Sequence, residues 1–60
     1  MEGRFLRLPA VQELTGLSRT AIYTIPDFPA SFSIGKRTVA WSEDEVRAWM
    51  KARLAEREAA

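Results

Sequence analysis

The fold is decided by the stretch LPAVQELTGLSRTAIYT, residues 8–24. Its first half predicts a short helix, because Pro9 is tolerated in a first turn and Gly16 suits the left-handed residue after a last one. The apolar edge of this helix would consist of Leu8, Val11 and Leu14. Only Gly16 and Leu17 separate it from Ser18, whose hydroxyl can cap a second helix. The stretch therefore predicts a tight helix-turn-helix.

The second helix is predicted over residues 18–25 and is short, because Pro26 lacks an N–H and pushes Ile25 away from helical angles. At about 100° per residue its side chains divide into two faces. The inward face would carry Ala21, Ile22 and Ile25. The outward face would carry Arg19, Thr20, Tyr23 and Thr24.

A β-hairpin is predicted over residues 32–41, where apolar residues alternate with small or polar ones around a turn at residues 35–37. The inward side chains would be Phe32, Ile34, Val39 and Trp41. Lys36 and Arg37 would stand at an exposed tip, and Phe28, in the connector before the hairpin, would plug the core.

A third helix is predicted after Ser42, which has the spacing of a capping box with Glu45. Its buried stripe would consist of Val46, Trp49, Met50 and Leu54. Because Arg53 and Arg57 continue the same line, the last turns are expected to leave the core. The predicted fold class is mainly α with a small β-hairpin, a winged helix-turn-helix with three helices in one domain, 1–60.

The composition excludes several classes of protein. Without cysteine or histidine among its 60 residues, the chain has neither a disulfide framework nor the usual zinc ligands, so no metal or cofactor is expected. Residues 1–4 contain no apolar signal core, and no apolar run approaches the roughly 18 residues of a membrane span. We expect a cytoplasmic protein that does not contact membranes.

Catalysis is not expected either. The acidic residues 43–45 are explained by their place in the first turn of a helix, where they complement its dipole. Ser18 and Ser42 have no histidine to act as a base and no glycine-rich loop beside them. Trp41 and Trp49 occupy inward positions and are interpreted as core residues, not as stacking platforms for bases. No small-molecule substrate is predicted.

The net charge of +1 is unevenly distributed. Residues 3–41 carry five basic and two acidic side chains, whereas residues 42–60 carry four basic and five acidic ones. Local positive potential attracts a polyanion more than the total charge does. The first two-thirds of the chain is therefore the candidate for contacts with double-stranded DNA.

The side chains on the outward face of the second helix suit DNA reading. Arg19 can bind guanine with two bonds, Thr20 can contact a thymine methyl or a phosphate, and Tyr23 suits a phosphate. Lys36 and Arg37 at the hairpin tip are placed to enter a neighbouring minor groove, although hairpin tips are also charged for solubility alone. Arg4 and Arg7, just before the first helix, either contact phosphates or are simply solvated.

The chain also resembles the AlpA-like regulators of prophages and integrative elements, which are related to excisionases and to MerR-like winged helices. The resemblance runs through residues 4–8, 15–23, 28–29, 34–41 and 45–49. It implies a winged helix-turn-helix that binds DNA near promoters or attachment sites. By this resemblance the recognition helix contains Ser18, Arg19, Thr20 and Tyr23, and the wing contains Lys36, Arg37 and Thr38.

One departure from the family pattern concerns the segment after Tyr23. Only residues 24–27 separate it from the Phe28-Pro29 pair, fewer than the family pattern has. The recognition helix is therefore expected to be about one turn shorter. This shortening puts base contacts beyond Tyr23 in question.

The leading hypothesis is a sequence-specific DNA-binding transcriptional regulator of a prophage or integrative element, with integrase and RNA polymerase as candidate partners. The first alternative is an excisionase that bends attachment-site DNA, and the second is an adaptor that binds proteins and has lost DNA contact. A single module offers a footprint of roughly 600–1,000 Å², so self-association on DNA is expected. The candidate surface for protein contacts is the line Met50, Arg53, Leu54 and Arg57.

Overall fold

The computed structural model of the chain describes residues 3–59. Its elements in chain order are β1 (Phe5–Leu6), α1 (Leu8–Thr15), α2 (Arg19–Thr24), β2 (Phe32–Gly35), β3 (Thr38–Ser42) and α3 (Glu43–Ala59). Three helices with a small antiparallel sheet confirm the predicted fold class, a winged helix. Residues 1, 2 and 60 lie outside the described residues. The prediction that residues 1–4 contain no signal core therefore falls partly outside them. A single domain over 1–60 stays a prediction.

The turn between α1 and α2 has the local geometry that the sequence predicts. Gly16 adopts φ +75° and donates its backbone N–H to the carbonyl of Gln12 at 2.7 Å. The hydroxyl oxygen of Ser18 accepts a hydrogen bond from the backbone N–H of Ala21, with N and Oγ 3.1 Å apart, and so caps α2. Ile25 leaves the helix with φ −65° and ψ 120°, as expected before a proline.

The sheet has three strands, in the order β1-β3-β2, and both pairings are antiparallel. Phe5 pairs with Ser42 and Leu6 with Trp41, so β3 lies in the centre. Strand β1 was not predicted, because a strand of two residues is too short to show an alternating pattern.

Two of the four hairpin residues predicted to face inward are exposed. Ile34 is 42% exposed and Val39 is 39% exposed, so both predictions were wrong. The register between β2 and β3 shifts between Ser33 and Gly35, which breaks the simple alternation assumed from the sequence. Trp41 is 1% exposed, as predicted, and Phe32 is half-buried.

The core lies between α1, α2, the sheet and the first half of α3. Its buried members are Leu6, Val11, Ile22, Phe28, Trp41 and Val46. Phe28 plugs the core from the connector, as predicted. Burial of these side chains supplies the main driving force for folding, at about 25 cal/mol per Å² of apolar surface.

Helix α3 begins at the predicted place, since the hydroxyl of Ser42 accepts the backbone N–H of Glu45 at 3.3 Å. Val46 is buried, and Trp49 and Met50 pack against the core from half-buried positions. Leu54 is 47% exposed, so its assignment to the buried stripe was wrong. Residues 51–58 are all exposed because the helix extends beyond the core, as expected for its last turns. Among the described residues, none of the helices is long and apolar enough to cross a membrane.

Candidate nucleic-acid interface

The outward face of α2 is exposed as the sequence predicts. Its members are Arg19, Thr20, Tyr23 and Thr24, and Ser18 at the cap is exposed beside them. The helix has six residues, so this face spans less than two turns. The structure thus presents these five side chains on one surface, and their contact with DNA stays a prediction.

The hydroxyls of this face are not equally available. The Ser18 hydroxyl oxygen is occupied by the cap of α2, and Thr24 Oγ1 donates to the carbonyl of Thr20 at 2.8 Å. The Ser18 hydroxyl thereby stabilises the start of α2, and the Thr24 hydroxyl is engaged with the backbone of α2 itself. Arg19 and Tyr23 remain the candidates with the longest reach.

Arg19, Tyr23 and Trp41 form a row from the surface to the core. The guanidinium carbon of Arg19 lies 5.8 Å from the ring centroid of Tyr23, within the range of a cation–π contact. The Tyr23 ring in turn meets the indole of Trp41 edge to face, with centroids 5.8 Å apart. Trp41 lies in β3, so this row joins α2 to the hairpin of β2 and β3. Arg19 and Tyr23 were predicted to face outward and Trp41 inward, but their contact was not predicted.

The wing tip carries the two predicted basic residues. Lys36 and Arg37 are exposed in the turn between β2 and β3, and Thr38 is half-buried at the start of β3. Arg37 has φ +55°, a left-handed conformation that is uncommon for residues other than glycine. The Thr38 hydroxyl donates to the carbonyl of Lys36 at 3.0 Å and holds the turn.

Arg4, a candidate for phosphate contact, is held by an ion pair. Its Nε donates to Glu43 Oε1 at 2.8 Å, and Arg47 Nε donates to the other oxygen of Glu43 at 2.7 Å. The hydrogen bond from Arg4 and, to a smaller extent, the one from Arg47 hold the pKa of the Glu43 carboxyl below its ordinary value. The same hydrogen bond and the charge of Glu43 raise the pKa of Arg4. Arg4 thus ties β1 to α3, whereas Arg7 is exposed at the start of α1.

The connector after α2 is tied to α3 by two contacts, one made by Arg53 and one by Trp49. Arg53 donates to Asp27 Oδ1 at 2.9 Å, and its guanidinium lies 4.9 Å from the ring centroid of Trp49. Trp49 meets Phe28 edge to face, with centroids 4.9 Å apart. Arg53 was a candidate for protein contacts, and here it braces the connector that follows the shortened recognition helix. No spacing in the sequence indicates this pair.

Within residues 3–59 there is no group of three or more His, Cys, Asp or Glu residues close enough to hold a metal ion. The exposed polar and basic side chains of α2 and the wing are instead suited to a phosphate backbone and base edges. Tyr23 of α2 and Trp41 of the hairpin are in direct contact, so the structure holds these two elements side by side.

Comparisons with known proteins point to one family. Residues 4–54 match the model of a family described as prophage CP4-57 regulatory protein (AlpA). The uncharacterized protein ORF88 of enterobacteria phage P4 is 49% identical over 57 residues, which cover 90% of this chain and 65% of that protein. This chain therefore spans just under two thirds of the length of that relative.

A second relative is the DNA-binding transcriptional activator AlpA of Escherichia coli. It is 37% identical over 59 residues, which cover 83% of this chain and 84% of that protein. No solved structure matches the chain.

Proposed function

Because the chain belongs to the AlpA family of prophage regulatory proteins, we propose that it is a sequence-specific DNA-binding transcriptional regulator of a prophage or integrative element. The relative from Escherichia coli, which is named a DNA-binding transcriptional activator, supports this proposal. The observation that carries it is the exposed face of α2, with Arg19 and Tyr23 at its centre. The protein would act in the cytoplasm at the nucleoid, without a catalytic step of its own.

In this proposal α2 lies in the major groove. Arg19 binds a guanine edge with two hydrogen bonds, Thr20 contacts a base or phosphate, and the hydroxyl of Tyr23 binds a phosphate. The stacking of Arg19 on Tyr23 limits the freedom of the guanidinium before binding, which lowers the entropic cost of the contact.

The wing would contact the adjacent minor groove through Lys36 and Arg37. Narrow minor grooves carry enhanced negative potential and attract arginine. Arg7 would add a phosphate contact from the start of α1, and the remaining donors of Arg4 could do the same beside its ion pair with Glu43. Together with Arg19 of α2, these side chains give four or five cationic contacts.

Fluorescence-anisotropy titration of DNA from the element's own promoter and attachment region tests the proposal. If each of the four to five cationic contacts neutralises one phosphate charge, the slope of log K against log salt should lie between about −3.6 and −4.5. The double variant Arg19→Ala, Arg37→Ala should lose sequence preference and about two units of that slope. The matched control is Lys51→Ala, Arg57→Ala, which removes the same charge from the exposed half of α3.

Equal loss of binding in both double variants would show that net charge, not the α2 and wing surface, governs binding. Absence of binding at low salt by the folded protein would favour the adaptor instead. An excisionase would make the same DNA contacts as a regulator. The two are therefore distinguished by what binding does to the DNA and to transcription. Strong bending of attachment-site DNA without any effect on a promoter reporter would favour it over the regulator.

A further inference from the structure

The chain leaving α2 is held against α3 by two contacts of different kinds. Phe28 is buried, and its ring meets the indole of Trp49 edge to face, with centroids 4.9 Å apart. At the surface, Arg53 Nη2 donates to Asp27 Oδ1 at 2.9 Å. Asp27 and Phe28 are adjacent in the chain, and Trp49 and Arg53 lie about one turn apart on α3. We call the ion pair of Asp27 with Arg53 the exit clamp.

Arg53 is oriented for this ion pair by its own helix. Its guanidinium carbon lies 4.9 Å from the ring centroid of Trp49, within the range of a cation–π contact. Its other terminal nitrogen, Nη1, lies 3.6 Å from Glu56 Oε1, a longer approach than the 2.9 Å to Asp27. Exposed ion pairs contribute little when two long side chains must first be ordered. The ring of Trp49 already restricts Arg53, so less entropy is lost when the exit clamp forms.

The exit clamp acts on α2 through a short and stiff piece of backbone. Thr24 is the last residue of α2, and only Ile25 and Pro26 separate it from Asp27. The ring of a proline fixes its φ, and the N–H of Phe28 donates to the carbonyl of Ile25 at 3.3 Å. A displacement of Asp27 is therefore passed on to the end of α2.

A second restraint on α2 comes from the sheet. Tyr23 meets Trp41 with ring centroids 5.8 Å apart, and the guanidinium of Arg19 lies over the ring of Tyr23. The helix itself has six residues, of which Ile22 alone is buried. A helix this short depends on tertiary contacts for its orientation. The direction in which Arg19 points thus depends on the contacts at both the sheet and the exit clamp.

We propose that Arg53 is a positioning residue for DNA reading: through Asp27 it fixes the orientation of α2, and so the direction of Arg19 toward a base edge. Hydrogen bonds to base edges require donors placed within narrow limits of distance and angle. Attraction to phosphates tolerates displacement, because it acts over a longer range. Loss of the exit clamp should therefore lower sequence preference and leave phosphate contacts in place. The inference rests on the proposed DNA-binding function and adds a residue outside the α2 and wing surface.

The test compares the affinities of Arg53→Ala for two DNA duplexes by fluorescence anisotropy. One duplex carries the promoter sequence, and the other carries the same bases in scrambled order. An unfolded fraction lowers both affinities equally, so a loss of stability alone does not change their ratio. We expect the ratio to fall about threefold to fivefold, the range that an exposed ion pair can supply. The salt slope on the scrambled duplex should stay unchanged, because no phosphate contact is lost.

The matched control is Arg57→Ala, which removes an exposed arginine about one turn further along α3. It should leave the ratio of affinities unchanged. An equal loss in Arg53→Ala and Arg57→Ala would show that the charge of α3 sets the ratio, and would overturn the inference. An unchanged ratio in folded Arg53→Ala would overturn the inference but leave the proposed function standing. If the natural protein does not distinguish the two duplexes, the proposed function fails, and the inference fails with it.

Asp27→Asn separates the exit clamp from the charge of Arg53. This change removes a negative charge and should strengthen long-range attraction to DNA, whereas Arg53→Ala removes a positive charge and should weaken it. Both changes break the clamp, so the ratio should fall in both and no further in the double variant. Arg53→Lys keeps a cation beside Asp27 and Trp49 and should retain most of the ratio. A ratio that falls in Arg53→Ala but rises in Asp27→Asn would contradict the inference.

A second measurement follows the backbone without DNA. The N–H of Ile25 donates to the carbonyl of Ala21 at 2.9 Å at the end of α2, and the N–H of Gly16 donates to that of Gln12 at 2.7 Å at the end of α1. In Arg53→Ala, hydrogen exchange at Ile25 should quicken by about threefold relative to Gly16, because the end of α2 opens more readily. An equal change at both amides would mean that only global stability has fallen, which would contradict the inference.

Discussion

The ring of Tyr23 lies edge-on to the indole of Trp41, with centroids 5.8 Å apart and planes at 61°. Tyr23 belongs to α2, the proposed recognition helix, and Trp41 belongs to β3, the central strand of the sheet. Trp41 is 1% exposed and Tyr23 is 52% exposed, so one ring anchors the other while leaving it accessible. The relative position of the two proposed DNA-contacting elements therefore depends on this pair.

Two substitutions at Tyr23 should separate its packing from its hydroxyl. Tyr23→Phe keeps the ring against Trp41 and should leave the free energy of unfolding unchanged, but DNA affinity should fall about tenfold, because a hydrogen bond to a charged group is worth roughly 1.5 kcal/mol. Tyr23→Ala also loses the aromatic contact and should destabilise the fold by about 1 kcal/mol. Urea unfolding and anisotropy measure the two effects. Natural affinity in Tyr23→Phe would exclude the phosphate contact.

Ser18 offers a similar separation, because its hydroxyl caps α2 at the proposed DNA surface. Ser18→Ala should cost about 1 kcal/mol of stability through the lost cap. Ser18→Asp preserves a capping oxygen and should keep stability near that of the natural protein, while its negative charge beside the phosphates weakens DNA binding. The control Ser33→Ala changes an exposed serine of β2. If Ser18→Asp unfolds as readily as Ser18→Ala, the hydrogen bond of the cap is not what stabilises α2.

The turn chemistry explains why the helix-turn-helix could be predicted from the sequence. Gly16, Ser18 and Pro26 act on the backbone beside them, so their effects are visible in a short stretch of sequence. The exposed face of α2 followed from the same periodicity. Lys36 and Arg37 were predicted to stand exposed at the hairpin tip, and they are exposed there, while their contact with a minor groove stays a prediction.

Long-range pairing could not be predicted in this way. Strand β1 exists because Phe5 meets Ser42, and the ion pair of Arg4 with Glu43 joins residues 39 positions apart. The exposure of Ile34 follows from a register shift that no local pattern reveals. Each of these features depends on which segments meet in space, and one sequence alone carries little information about that.

The carboxyl of Glu43 should make stability depend on pH. Its pKa is lowered in the folded protein by hydrogen bonds from Arg4 and Arg47, from an ordinary value of 4.5. A lowered folded-state pKa gives a stabilising contribution that is present above the unfolded pKa and lost as pH falls through the folded one. The melting temperature should therefore fall below pH 4.5 less steeply in Glu43→Gln than in the natural protein.

Thermal unfolding followed by circular dichroism from pH 7 to pH 2 measures this difference. Glu58→Gln removes the same charge from the exposed end of α3 and controls for net charge. Identical pH dependence in Glu43→Gln and the natural protein would show that the ion pairs of Glu43 do not persist in solution.

Arg37 adopts a left-handed backbone conformation that arginine disfavours, and a substitution there can separate stability from DNA binding. Its φ of +55° is a conformation that glycine adopts freely, whereas other residues pay roughly 1 kcal/mol for it. Arg37→Gly should therefore leave the free energy of unfolding equal or raise it by up to about 1 kcal/mol. The same change removes one cation from the wing tip, so the salt slope of DNA binding should fall by about 0.9. A variant that is as stable as the natural protein or more stable, yet binds DNA more weakly, would indicate that Arg37 serves DNA contact. A loss of stability with unchanged binding would instead assign Arg37 a role in the turn alone.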